Sequence, residues 1–367
     1  MAADEPIRVL VVDDSAVARQ QYRNILTSSR GADLIATAPN AEMARQRIPK
    51  LDPDVVVLDI HMPGVDGLTF LKWLMRNLPT PVVISSTLNP DAAKLTMDAF
   101  SLGAVEVVCK GDTSGTGAWG GDFQDSLLRA VQAAAKAAPK IKSRRGASPL
   151  VAVANQQRAI TSSALRAGML VAIGASTGGT EAIARLVAAM PEGFPPTVIA
   201  QHMPPVYTQS FAARLDTLGP ARVIEAKGGE VLQAGTVLIA PGGLHMELRP
   251  SPRGPITQIF DPTDKGPRPS ADRLLRSAAR VMGKNVVGMV LTGMGSDGAE
   301  GLLAIHQAGG ITIAQDEASS VCYGMPKEAV KLGAAQHKLG IDHIMPRVCK
   351  LLAVGTKAKT LAAQSNP

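Results

Sequence analysis

Met169-Leu170-Val171-Ala172-Ile173 runs straight into Gly174-Ala175-Ser176-Thr177-Gly178-Gly179, and Ile183, Leu186, Val187 and Met190 then recur at i, i+3, i+4 and i+7. An unbroken aliphatic run suits a strand covered on both faces, and the recurrence after it puts apolar side chains on one face of a helix. A glycine-rich turn joins the two. The same succession continues outward in both directions. Aliphatic runs stand at Ile7–Val12, Asp54–Leu58, Val82–Ile84 and Val105–Val108, with Leu71, Leu74, Met75 and Leu78 marking a helical face among them. Beyond Ile173 come Thr197–Ala200, Val237–Ala240, Val286–Leu291 and Ile311–Ala314. Strand alternating with helix predicts an α/β protein built of two doubly wound parallel-sheet domains.

The 367 residues accommodate two such domains at about 100–200 residues each. Between them the periodicity fails. Residues 136–166 carry seven basic and no acidic side chains, with two prolines and a glycine, a composition that favours an extended, solvated connector. A short helix around Val151–Arg158 has weak support there. The expected division is a first domain over 1–130, a basic linker over 131–166, a second domain over 167–357 and a tail over 358–367. The net charge of +7 lies in that connector, since residues 1–135 hold 12 basic and 16 acidic side chains. A nucleic-acid-binding domain concentrates such charge on a folded face, so no nucleic-acid partner is expected. Cys109, Cys322 and Cys349 make neither a disulfide framework nor a zinc spacing, which suits a reducing compartment. The acidic N-terminus reaches a strand by Val9 and does not read as a signal peptide. No stretch approaches the roughly 18 apolar residues of a membrane span. A soluble, cytoplasmic protein without membrane insertion is expected.

In open parallel sheets, ligands bind beyond the carboxyl ends of the strands. Asp13-Asp14-Ser15 follows the first run, and Asp59 the next, in Leu58-Asp59-Ile60-His61-Met62-Pro63-Gly64. Ser85-Ser86-Thr87 follows the third and Lys110 the fourth. Three carboxylates brought together repel unless a cation lies among them, and an all-oxygen site suits Mg²⁺. A carboxylate is also a nucleophile toward phosphorus, and an ammonium offsets charge on phosphoryl oxygens. Singly, each element is commonplace: an Asp pair after a strand is more often a helix cap and its solvated neighbour. The joint order Asp-Asp, Asp, Ser, Lys is not. Residues 7–128 resemble a response-regulator receiver domain of two-component signalling. The resemblance implies Asp59 as phosphoacceptor, Asp13, Asp14 and Asp59 as Mg²⁺ ligands, Ser86 as the hydroxyl that follows the phosphoryl group, and Lys110 as its cationic partner. Met62-Pro63-Gly64-Val65-Asp66-Gly67 matches the family's loop, whereas Gly111 stands where the family usually has proline. His61 is read as a bystander in a surface loop.

Gly174–Gly178 also reads as G-x-S-x-G, a nucleophile elbow with Ser176 exposed on a tight turn. A phosphate-cradling turn and a plain packing turn capped by Ser176 are the alternatives. A serine nucleophile needs a base, and the base an orienting carboxylate. Of His202, His245, His306, His337 and His343, His202 is the best base, since Gln201-His202-Met203-Pro204 follows an aliphatic run. Asp297, in Thr292-Gly293-Met294-Gly295-Ser296-Asp297-Gly298, leads Asp316 as the acid by the same topology. With Ala314-Gln315-Asp316-Glu317-Ala318-Ser319 and Met325-Pro326, these stretches resemble the catalytic domain of the chemotaxis protein-glutamate methylesterase. The resemblance carries the nucleophile to Ser176, the base to His202 and the acid to Asp297, with Thr177 and Met294 beside the oxyanion through backbone N–H groups. It implies hydrolysis of glutamate methyl esters on chemoreceptors, deamidation of receptor glutamines, Mg²⁺ for receiver phosphorylation, and no cofactor in the esterase domain. The implied partners are methyl-accepting chemoreceptors and the chemotaxis histidine kinase, for a monomer recruited to receptor arrays. An adaptor without catalysis, or a hydrolase serving a non-chemotaxis array, are the rival expectations.

Overall fold

The computed structural model describes residues 5–29, 31–62, 64–110, 119, 121–142, 165–261 and 266–353. Strands β1 (Ile7–Val12), β2 (Ala32–Ala38), β3 (Val55–Asp59), β4 (Val82–Ser86) and β5 (Glu106–Cys109) form a parallel sheet in the order β2-β1-β3-β4-β5. Helices α1 (Ala16–Ser28), α2 (Ala41–Leu51), α3 (Gly67–Asn77), α4 (Pro90–Ser101) and α5 (Gly121–Lys142) cover it. Successive strand residues divide between the two faces, as a pleat requires. Val9, Val11, Val55, Val57 and Val83 pack with α1 and α5, while Leu10, Val12, Val56, Leu58 and Ile84 pack with α2 to α4. Burial on both faces is why these strands are written as unbroken aliphatic runs.

The second sheet repeats the scheme. It contains β6 (Leu170–Ala175), β7 (Thr197–Gln201), β8 (Arg222–Glu225) and β9 (Thr236–Ile239). The chain then leaves it for an antiparallel hairpin, β10 (His245–Arg249) and β11 (Ile256–Phe260), and returns as β12 (Val286–Val290), β13 (Ile311–Gln315) and β14 (His337–Leu339). The order is β14-β13-β12-β6-β7-β9-β8, with every pairing parallel. Helices α6 (Gly179–Ala188), α7 (Tyr207–Leu215) and α11 (Ile341–Leu352) lie on one face. Helices α8 (Ala271–Met282), α9 (Ala299–Gln307) and α10 (Met325–Lys331) lie on the other.

Each aliphatic run read from the sequence is a strand. Strands β2, β8 and β14 lacked that signature because they are half-wet sheet edges, free of the demand for continuous apolar residues, whereas the other edge, β5, buries Val107 and Val108. Helix α5 continues to Lys142, through residues assigned above to the linker. The run Ala133-Ala134-Ala135-Lys136-Ala137-Ala138 explains this: alanine is the best helix former, and Ala130, Val131, Ala134 and Ala137 bury one face against the first sheet. The rest of the connector, the helix considered near Val151–Arg158, Gly111 and the tail lie outside the described residues. Among the described residues no helix is long and apolar enough to cross a membrane.

Strand order decides where chemistry can occur. In the first sheet the chain steps from β1 to β2, then crosses to the other side of β1 for β3. In the second it builds outward from β6 through β7 and returns on the far side as β12. A crevice opens where the order reverses, beyond the carboxyl ends of the two strands concerned. The β1/β3 crevice receives Asp13 and Asp59; the β12/β6 crevice receives Ser176 and the loop that carries Asp297. Helix α4 packs against α7, and one contiguous apolar cluster runs between the two halves. The Tyr207 hydroxyl donates to Thr87 O at 3.2 Å, and Lys140 Nζ donates to the carbonyls of Glu317 and Ser320.

Candidate functional site

The first crevice is a carboxylate cluster. Asp13 and Asp59 are buried and Asp14 is exposed, and one oxygen of each lies within 4.8 Å of the others. Lys110 Nζ reaches Asp13 Oδ2 at 2.8 Å and also pairs with Asp59 Oδ2. Burial disfavours the Lys110 ammonium, but the two carboxylates outweigh it and raise its pKa. Asp13 Oδ1 and Asp59 Oδ1 are each tied back to the chain, by Ser15 N–H and His61 N–H at 2.9 Å. The buried Ser86 hydroxyl has no hydrogen-bond partner among the described residues. Three hard oxygen donors with a single ammonium between them fit Mg²⁺, and an orphaned hydroxyl beside them fits a phosphoryl oxygen.

The second crevice holds a cleft of about 1200 Å³ lined by Ser176, Thr177, His202, Met294 and Asp297. Ser176 is fixed through its backbone. Its N–H donates to Thr292 O at 3.0 Å, and its carbonyl accepts from Gly179 N–H and Gln201 Nε2. Gly293 permits this approach, because a Cβ there would lie 2.7 Å from Ser176 Cβ and 3.1 Å from Ser176 N. His202 Nε2 meets Asp297 Oδ2 at 2.7 Å. Burial pushes the Asp297 carboxyl up, but the bonds from His202 and from two backbone N–H groups of α8 outweigh it and hold the group below its ordinary value. An ionised Asp297 keeps the proton of His202 on Nε2 and leaves Nδ1 as the basic nitrogen.

The same cleft is lined from the other half by Glu106, Val107, Val108, Cys109 and Phe123. Thr177 Oγ1 donates to Glu106 Oε2 at 2.7 Å, so the residue after Ser176 is bonded to the first sheet. Burial raises the Glu106 pKa, partly offset by the bonds from Thr177 and from Val107 N–H.

Among the other residues weighed from the sequence, Asp316 turns inward on its own loop, accepting from Ser319 N–H and Oγ, and does not bond His202. His61 is exposed, as is His343, and His306 and His337 are partly buried away from the cleft. His245 is buried and accepts a hydrogen bond from Ser270 N–H. Three contributors escaped the sequence reading. Gln201 bridges the Ser176 and His202 carbonyls, Gln315 Oε1 accepts from Thr292 N–H, and Ser270 bonds Asp297. Gln201 and Gln315 end β7 and β13, and a polar residue closing an apolar run was the available signal. Ser270 sits 27 residues from Asp297 and offered none.

A buried carboxylate–lysine cluster and a cleft joining Ser176, His202 and Asp297, on two doubly wound sheets, are the parts of a response-regulator hydrolase. The response regulator receiver domain family matches residues 9–114, and the CheB methylesterase family matches residues 171–348. A protein-glutamate methylesterase/protein-glutamine glutaminase of Anaeromyxobacter dehalogenans is 45% identical over 95% of this chain and 96% of its own length. Another from Syntrophus aciditrophicus is 42% identical over 94% and 99%. The crystal structure of the Thermotoga maritima CheB methylesterase catalytic domain aligns with 50% of this chain and 98% of its own, at 37% identity and a TM-score of 0.49. The chain belongs to the protein-glutamate methylesterase/protein-glutamine glutaminase family.

Proposed function

We propose that this chain is a phosphorylation-regulated chemotaxis enzyme that hydrolyses glutamate methyl esters on chemoreceptors and deamidates receptor glutamines. The receiver spans 1–130, with α5 continuing to Lys142, and the catalytic domain spans 167–357. The observation that carries the reading is the shared cleft: Ser176 beside a hydrogen-bonded His202–Asp297 pair at the crevice of the second sheet. His202 Nδ1 takes the proton of Ser176 as its oxygen attacks the ester carbonyl. The oxyanion is held by backbone N–H groups of Thr177 and Met294. Collapse transfers the proton to the departing methoxide and releases methanol. Water, deprotonated by the same imidazole, then attacks the acyl-enzyme and frees the receptor glutamate. With an amide substrate the leaving group is ammonia and the rest is unchanged. These steps use only groups of the chain and water.

In the receiver, Asp13, Asp14 and Asp59 would hold Mg²⁺, which supplies positive charge for the transferring phosphoryl group. An Asp59 oxygen attacks phosphorus and displaces the donor's leaving group, forming an acyl phosphate. Lys110 then faces the new phosphoryl oxygens and Ser86 donates its free hydroxyl. The chemotaxis histidine kinase is the proposed donor. The receiver edge that lines the catalytic cleft restrains access to Ser176 until the added charge of about −1.5 to −2 shifts the halves apart.

Ser176→Ala and His202→Gln are expected to lower methanol release from methylated receptor membranes by about 10⁴–10⁶ while leaving the fold intact. Near-wild-type turnover in Ser176→Ala contradicts the acyl-enzyme route. Acetyl phosphate is expected to label the wild type only with Mg²⁺ present, and Asp59→Asn not at all, with a label stable in acid and lost to hydroxylamine. Equal labelling of the two proteins contradicts the Asp59 assignment.

Glu106 gives the restraint a pH dependence. Its pKa is raised while it is docked, so docking takes up protons. That contribution is fully present below the ordinary glutamate value and is lost as pH rises through the raised one. Unphosphorylated wild type should therefore gain activity relative to Glu106→Gln as pH rises. The glutamine cannot ionise, and both proteins share one triad, so the ratio isolates Glu106. A ratio that stays flat, or falls, contradicts the assignment.

A further inference from the structure

The Asp297 carboxylate accepts four hydrogen bonds, of which the proposed triad uses one. Oδ2 takes His202 Nε2 and Ala271 N–H, both at 2.7 Å. Oδ1 takes Asp272 N–H at 2.9 Å and the Ser270 hydroxyl at 3.0 Å. Ala271 and Asp272 open α8, and Ser270 is its N-cap, whose Oγ also accepts from Arg273 N–H at 3.3 Å. The first N–H groups of a helix lack partners within it and carry the positive end of its dipole, so a carboxylate seated there is stabilised. The Ser270 hydroxyl uses both of its capacities, donating to the acid and accepting from the helix.

Ser270 is itself held from behind. Its N–H donates at 3.1 Å to Nδ1 of His245, which is buried at the start of β10 against Phe260. A ring nitrogen that accepts carries no proton, so His245 is the neutral tautomer with its hydrogen on Nε2. A continuous chain of hydrogen bonds thus leads from the antiparallel hairpin, through Ser270 and Asp297, to the imidazole of His202.

We propose that Ser270 is a positioning residue of the hydrolytic reaction, its hydroxyl fixing the rotation of the Asp297 carboxylate so that Oδ2 stays on His202 Nε2, with His245 fixing Ser270 in turn. This rests on Asp297 being the triad acid. The two backbone N–H groups bind one oxygen each, and the Ser270 hydroxyl adds the second bond that sets Oδ1. Without it the carboxylate turns more freely, and His202 is presented to Ser176 in the productive orientation for less of the time.

The test uses the full-length chain, phosphodonor and methylated receptor membranes. It compares Ser270→Ala, Ser270→Thr, Ser277→Ala, Asp297→Asn and the double variant Ser270→Ala/Asp297→Asn. Ser277 is the structural control: a buried serine on the same helix whose hydroxyl donates to Leu274 O at 2.7 Å and accepts from Leu248 N–H at 2.9 Å, away from Asp297. Ser270→Ala should lower kcat about tenfold, the scale of one hydrogen bond to a charged group, and leave KM unchanged. Ser270→Thr, which keeps the hydroxyl and caps a helix nearly as well, should recover most of that loss. Ser277→Ala should lower the melting temperature without lowering kcat. The double variant should be no slower than Asp297→Asn alone, because Ser270 acts through that carboxylate. Undiminished kcat in Ser270→Ala beside a crippled Asp297→Asn overturns this proposal alone, as does an equal kcat loss in Ser277→Ala or full additivity in the double variant. Wild-type turnover in Asp297→Asn overturns the triad reading and this proposal with it.

Discussion

The hydrogen bond from Thr177 Oγ1 to Glu106 Oε2, 2.7 Å long, joins the edge strand of the first parallel sheet to the loop at the carboxyl end of β6 in the second. A sheet covered by helices on both faces leaves only its strand ends for chemistry. Two such sheets in one chain act on each other through an edge strand or through the helices that cover them. Here the edge strand β5 lines the second crevice, and α4 packs on α7. Glu106 lies on β5, four residues before Lys110, and Thr177 directly follows Ser176, so a single contact lies within a few residues of both crevices. Around it, α4 rests on α7, and Tyr207 reaches Thr87 next to the Ser86 hydroxyl. Ser86 and Lys110 are thus linked to the Ser176 cleft along β5 and through Thr87 and Tyr207.

The two crevices solve opposite electrostatic problems with similar parts. The receiver concentrates negative charge and leaves Lys110 as the lone ammonium among three carboxylates, a surplus suited to a divalent cation. The second crevice holds one carboxylate and surrounds it with donors: an imidazole, two helix N-terminal N–H groups and a hydroxyl. The first arrangement carries a surplus of negative charge, and in the second the carboxylate is bonded through both oxygens. The surplus is what suits the receiver cluster to the Mg²⁺ of the proposed phosphorylation.

The sheets were legible because parallel strands buried on both faces must be written as uninterrupted Val, Ile and Leu, and every such run is a strand. Asp13, Asp59, Ser176 and His202 were legible for a related reason: each follows such a run, where the fold delivers side chains to the crevice. Asp297 needed one further step, since five residues of glycine-rich loop separate it from Leu291. Edge strands β2, β8 and β14 stayed hidden because half-wet strands need no distinctive pattern. The continuation of α5 to Lys142 stayed hidden because its lysines and Pro139 masked an alanine-rich buried face. Ser270 and Glu106 could not be read at all, and His245 could be weighed only as a candidate base. Their roles depend on which segments meet across 27, 25 and 71 residues of sequence, and no local pattern encodes that.

In the proposed function the receiver edge covers the Ser176 cleft and phosphorylation uncovers it. Severing the chain between residues 143 and 164 at an inserted protease site, separating the halves, and following methanol release from methylated receptor membranes tests it most directly. The freed second half should exceed the intact, unphosphorylated protein and no longer respond to a phosphodonor, whereas the intact protein should respond. A freed half that is no faster than the intact, unphosphorylated protein would mean that the receiver activates or tethers rather than restrains.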